Sequence, residues 1–161
     1  MQINTRDARA FVLVGWFVAA LAAGVSAQGG VPNGSWKLNL AKSKASGPAP
    51  FKSATLTVHP VGPATMTMIE SVGADGATLN WMYTGSYDGR DVPITGNPAF
   101  DTAARKSINA TTTETTYKKG GKVVSVNANV LSADGKTLTV TTKGMDAQGR
   151  PVNSVLVFER Q

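Results

Sequence analysis

The chain has 161 residues, a net charge of +6, a single histidine and no cysteine. That length holds one domain with its own core. The absence of thiols excludes disulfides and cysteine-ligated zinc, and a lone His59 argues against histidine metal sites and a serine–histidine–aspartate triad. The basic residues are scattered, and the densest group, Lys118, Lys119 and Lys122, flanks a Gly-Gly turn. It reads as a solvated hairpin tip that resists edge-to-edge aggregation, and no nucleic-acid partner is expected.

Residues 1–27 read as a signal peptide. Arg6 and Arg9 give a basic start, Phe11 to Ala23 is an apolar and small-residue stretch, and Val25-Ser26-Ala27 offers small residues at the −3 and −1 positions. A bilayer crossing needs about 20 apolar residues, so this stretch is short for a span. Cleavage near Ala27 is therefore expected ahead of retention as an anchor. It would leave residues 28–161 as one secreted or periplasmic domain with no transmembrane span.

From Gly34 onward the pattern is that of short strands rich in Thr and Val, separated by Gly and Asp. Strands are predicted over 34–40, 53–59, 64–72, 77–84, 90–94, 103–109, 112–118, 122–131, 136–144 and 152–160. Asp75-Gly76, Asp88-Gly89, Gly120-Gly121 and Asp134-Gly135 supply tight hairpin turns, and Asp146 to Gly149 a longer one. Residues 41–52, with Pro48 and Pro50, read as a loop, as does the stretch from Asn97 to Asp101.

Alternation is legible in several strands. Leu79, Trp81 and Tyr83 share one face, as do Leu56 and Val58. Val124, Val126, Ala128 and Val130 form an apolar face of their strand opposite Ser125, Asn127 and Asn129. One apolar and one wet face suit an antiparallel sheet against a core. An open sheet of ten strands would leave two long edges. The fold class expected is therefore all-β, a single antiparallel meander closed into a lipocalin-like barrel of eight to ten strands.

Candidate ligand-binding residues follow from that barrel. Trp81, Tyr83 and Tyr117 offer an apolar wall with polar handles, and Met66 and Met68, on one face, an adaptable one. Tyr87 belongs to the cluster Tyr83 to Asp91, which gathers Asp88, Arg90 and Asp91 near one turn. The competing reading is a plain Asp-Gly turn with a surface ion pair. Arg105 is a candidate buried charge for an anionic ligand, or else an exposed strand residue beside Lys106. No acidic pair, metal-ligand spacing or calcium loop stands out, so no metal, cofactor or catalytic residue is expected.

Gly34-Ser35-Trp36 resembles the first-strand Gly-x-Trp of the calycin barrels, the lipocalins and fatty-acid-binding proteins. The wider run Gly34 to Lys44, with Lys118 to Val124, Asp134 to Val140 and Asp146 to Asn153, resembles small uncharacterised secreted bacterial proteins. The calycin resemblance implies a barrel base closed by Gly34, Trp36 and Arg160, with the Arg160 guanidinium over the Trp36 indole. The second lipocalin motif, the helix-turn-helix lid and the Arg-x-Tyr clamp of the fatty-acid-binding proteins have no counterpart here.

The function expected is binding of a small apolar or amphipathic molecule by an exported protein. The alternative is a periplasmic or envelope accessory or interaction module that uses the barrel as a scaffold. Enzymatic activity through Tyr87, Asp88 and Arg90 ranks last. Neither ligand identity nor oligomeric state is legible in the sequence.

Overall fold

The computed structural model describes residues 29–45, 51–145 and 151–161. The segment 1–27 read as a signal peptide and the turn expected at Asp146 to Gly149 lie outside the described residues. In chain order the strands are β1 (Gly34–Leu38), β2 (Lys44–Ala45), β3 (Phe51–Val61), β4 (Ala64–Gly73), β5 (Thr78–Gly85), β6 (Asp88–Thr95), β7 (Thr102–Ser107), β8 (Thr112–Lys119), β9 (Lys122–Leu131), β10 (Thr137–Met145) and β11 (Pro151–Arg160). From β3 onward each strand pairs antiparallel with the next, and β1 pairs with both β3 and β11. The meander thus closes into a ten-stranded barrel.

Turn chemistry drives this order. Gly120 and Gly121 have φ of 55° and 74°, and they join β8 to β9 where a side chain would be strained. Asn109 caps the β7–β8 turn by accepting from the backbone of Thr111 and Thr112 at 3.0 and 2.9 Å, which ends β7 at Ser107 rather than at 109. The Asp88-Gly89 pair behaves differently from expectation. It does not form a hairpin tip. It opens β6, where the register shifts by a bulge between Asp88 and Asp91, while the preceding Tyr87 carbonyl still accepts from the Ser107 backbone of β7 at 3.4 Å.

The connection after β1 is also more ordered than a plain loop. Leu40–Lys42 forms a 3₁₀ turn, with the Asn39 side chain accepting from the Lys42 backbone at 3.2 Å, and β2 then pairs with β11 at Ser154 and Val155. Thus β1 and β2 run along one edge of β11, bridged where the Val157 backbone N–H donates to Ser43 Oγ at 3.0 Å.

One cluster packs the β1 side of the barrel: Trp36, Leu38, Ala54, Leu138, Val140, Leu156 and Phe158. A second, around Tyr83, Ala103 and Tyr117, lies on the β5–β8 side. The ladder between β5 and β6 is short, pairing only Met82 with Thr95 and Tyr83 with Ile94.

Strand β9 departs from its expected orientation. Ser125 and Asn129 are buried, whereas Val130 is exposed. Directly opposed residues share a face, and Asn129 stands against Thr113 on one side and Val140 on the other. The Asp134-Gly135 turn sets Leu131 opposite Leu138, so the odd-numbered residues of β9 must point inward. The apolar face of β9 is therefore the outer one.

Candidate functional site

The barrel ends differ. At the end where β1 begins, Gly34 holds φ of +134°, a conformation that side chains rarely adopt, and the Arg160 guanidinium lies beside it, 3.6 Å from where a Cβ would sit. Trp36 is fully buried and registers with Arg160, whose Cζ lies 5.7 Å from the indole centroid. Such a contact contributes about 0.5–2 kcal/mol. The indole N–H donates to the Pro32 carbonyl at 3.2 Å, and Arg160 Nη2 donates to the Asn33 carbonyl at 2.9 Å. These bonds draw the segment 29–33 across this end. There the Val31 backbone N–H donates to the Tyr87 hydroxyl at 3.0 Å.

Beyond this base lies a cavity of about 250 Å³. Its aromatic wall is built by Trp81 and Tyr83 of β5, Phe100 from the β6–β7 connection, and Tyr117 of β8. Phe100 stacks on Tyr117 at 4.8 Å, and Trp81 meets Tyr117 edge-on at 5.6 Å. Facing them are Leu56, Val58, Val140, Leu156 and Phe158 from the aliphatic side. Hydroxyls and amides complete the lining. Asn129 Nδ2 donates to Thr113 Oγ1 at 3.3 Å and to Thr115 Oγ1 at 3.2 Å, so this polar strip is largely self-satisfied.

Among the described residues Arg105 is the one charged residue in the wall, and it is 3% exposed. Its Nη1 donates to Thr67 Oγ1 at 3.2 Å, and Nη2 donates to the carbonyls of Thr65 (3.1 Å) and Gly85. Its Cζ lies 4.3 Å from the Tyr87 ring centroid and 5.3 Å from that of Tyr83. No carboxylate pairs with it among the described residues. Its Nε is buried and has no hydrogen-bond partner. Burial pushes the Tyr83 phenol up and the Tyr117 phenol well above the ordinary value, with the Arg105 charge opposing both, so each stays a neutral hydroxyl near pH 7.

Of the residues singled out in the sequence, Trp81, Tyr83, Tyr87, Arg105 and Tyr117 meet at this cavity. Met66 and Met68 do not. Thr67 and Ile69 of β4 face inward instead, because they stand opposite Tyr83 and Trp81 on β5 and opposite Val58 and Leu56 on β3. That parity turns both methionines outward, beside the exposed Met82. Asp88 and Arg90 also stay outside, paired with each other at 2.6 Å, while Asp91 meets Lys118 at 2.8 Å. The Tyr87, Asp88 and Arg90 side chains therefore do not converge on one site.

The wall also holds residues that the sequence reading did not single out as lining: Thr67, Thr113, Thr115, Asn129 and Phe100. Strand β8 carried a usable signal. Its Thr113 and Thr115 share parity with Tyr117, so a strand polar on both faces had to place hydroxyls inside.

No protein-family model matches the chain, and no curated protein matches it in sequence.

Proposed function

We propose that this protein binds a small, largely apolar molecule inside its barrel, in the manner of the calycin barrels that its Gly34-Ser35-Trp36 start resembles. The observation that carries this reading is the cavity of about 250 Å³ between the aromatic and aliphatic walls. An apolar cavity of roughly 150 Å³ holds one benzene, so by proportion this one takes about ten heavy atoms. Ligand pockets typically combine such apolar lining with a few convergent polar groups. The reading of residues 1–27 as a signal peptide adds export to the proposal, which places the protein in the periplasm or outside the cell.

Naphthalene, a neutral probe of about ten heavy atoms, suits this volume. Its fluorescence should change saturably on titration with the full chain, at one site per chain. A linear, non-saturating response would refute cavity binding.

A further inference from the structure

We infer that the ligand of this cavity is a monoanionic aromatic carboxylic acid, its carboxylate on Arg105 and its ring against Trp81 and Tyr117. The inference rests on the binding function proposed above and adds the chemical class of the ligand.

Burying an isolated cation costs several kcal/mol unless it is paired and hydrogen-bonded. Arg105 recovers part of this through three protein acceptors and two tyrosine rings. All of those groups are neutral, so the charge itself stays uncompensated among the described residues. A guanidinium has five N–H donors in a rigid fork. The acceptors found occupy Nη1 and Nη2 only, and Nε is left without one. Arg105 lines the cavity and carries this buried, unsatisfied donor, and an anionic oxygen brought against its guanidinium would supply an acceptor and the missing charge. The Thr65 hydroxyl, on the segment whose carbonyl Arg105 already holds, is likewise buried without a partner.

The single charge sets the ligand's valence. Among the described residues no second cation lines the cavity, so a carboxylate matches it and a phosphate dianion does not. Position sets the orientation. Arg105 lies near the end closed by Val31 and Tyr87, whereas Phe51 and Val152 line the cavity toward the opposite end. The acid enters head first, with its body left among the rings. Four rings, of Trp81, Tyr83, Phe100 and Tyr117, pack on one another at centroid separations of 4.8–6.3 Å to form that wall, a surface of ring faces and edges that favours another aromatic ring.

The test compares phenylacetate with 2-phenylethanol, nearly the same shape without the charge, by calorimetry on the full chain at neutral pH and low salt. Octanoate serves as the aliphatic acid of similar size. Phenylacetate should bind at least about tenfold more tightly than 2-phenylethanol, and more tightly than octanoate. The Arg105 Nε–H resonance should shift with phenylacetate and stay in place with the alcohol. In Arg105→Met the preference for the acid should vanish, and in Arg105→Lys, which keeps the charge, it should persist in part. The comparison of ligands on the unaltered chain decides the matter even if Arg105→Met fails to fold. Equal affinity for acid and alcohol, or acid binding without a shift at Arg105 Nε, would overturn the carboxylate assignment while naphthalene binding leaves the cavity reading intact. Tighter binding of octanoate would overturn the aromatic part. Failure of naphthalene and both acids to bind would end both readings.

Discussion

Around Trp36, strands β1 and β10 bring Leu38 and Leu138 into a packed cluster with Ala54, Leu156 and Phe158, which also line the cavity from this side. Across the barrel, β5 to β9 point tyrosines, threonines, Asn129 and an uncompensated arginine at an open volume. The strands are of one kind and joined by the same turns, so backbone does not make the difference. Side-chain choice does. One side spends its inward positions on area removed from water, worth about 1.5–3 kcal/mol for each large aliphatic side chain. The other keeps volume and polar groups that a stability-optimised core would lack, the trade expected where function needs them.

The largest effect that tests this contrast is in the packed side. Leu138→Ala should destabilise the protein by about 2–5 kcal/mol, because a fully enclosed site cannot collapse around the deletion. Urea denaturation measures it, and a loss well below that range would mean that the β1 side is no better packed than the cavity side. Arg105→Met should behave in the opposite way. Removing the uncompensated charge offsets the hydrogen bonds lost to Thr65, Thr67 and Gly85, so ligand-free stability should stay within about 1 kcal/mol. A loss of several kcal/mol in the same experiment would make Arg105 a structural pin and erase the contrast.

A smaller, pH-dependent effect belongs to the cavity side alone. Burial raises the folded-state Tyr117 phenol well above its ordinary value, so the folded form favours the neutral hydroxyl. The sign follows from linkage. Its contribution to stability is complete below the unfolded-state value, near pH 10, and is lost as pH rises from there through the folded value. Ultraviolet titration of the phenolates should show Tyr83 and Tyr117 ionising later than a free tyrosine. Ionisation of both at the ordinary value would mean that the cavity is open to bulk water.

Much of the barrel was legible from the sequence because its turns are written in Gly and Asp and its strands alternate. Ten strands closing on β1 follow from those two signals. The inner face of β9 was not legible, since Val124, Val126, Ala128 and Val130 make the more apolar face. What decides the matter is register, which the Asp134-Gly135 turn and the neighbouring strands impose. The same holds for β4, where methionines look like better lining than Thr67, yet Trp81 and Tyr83 opposite them fix the parity. The aromatic residues of β5 and β8 announced themselves by type. For Arg105 the residue was visible but its burial was not, because that depends on Thr65, Thr67 and Gly85 from strands 20 to 40 positions away in the chain.

Ligand entry on the β5–β9 side of the barrel, with the base at Trp36 left closed, is the proposal that divides the two regions. Indole resonances followed during a naphthalene titration test it most directly. The Trp81 signal should move saturably and the Trp36 signal should remain in place. Saturable movement of Trp36 with Trp81 unmoved, or movement of neither, would contradict it.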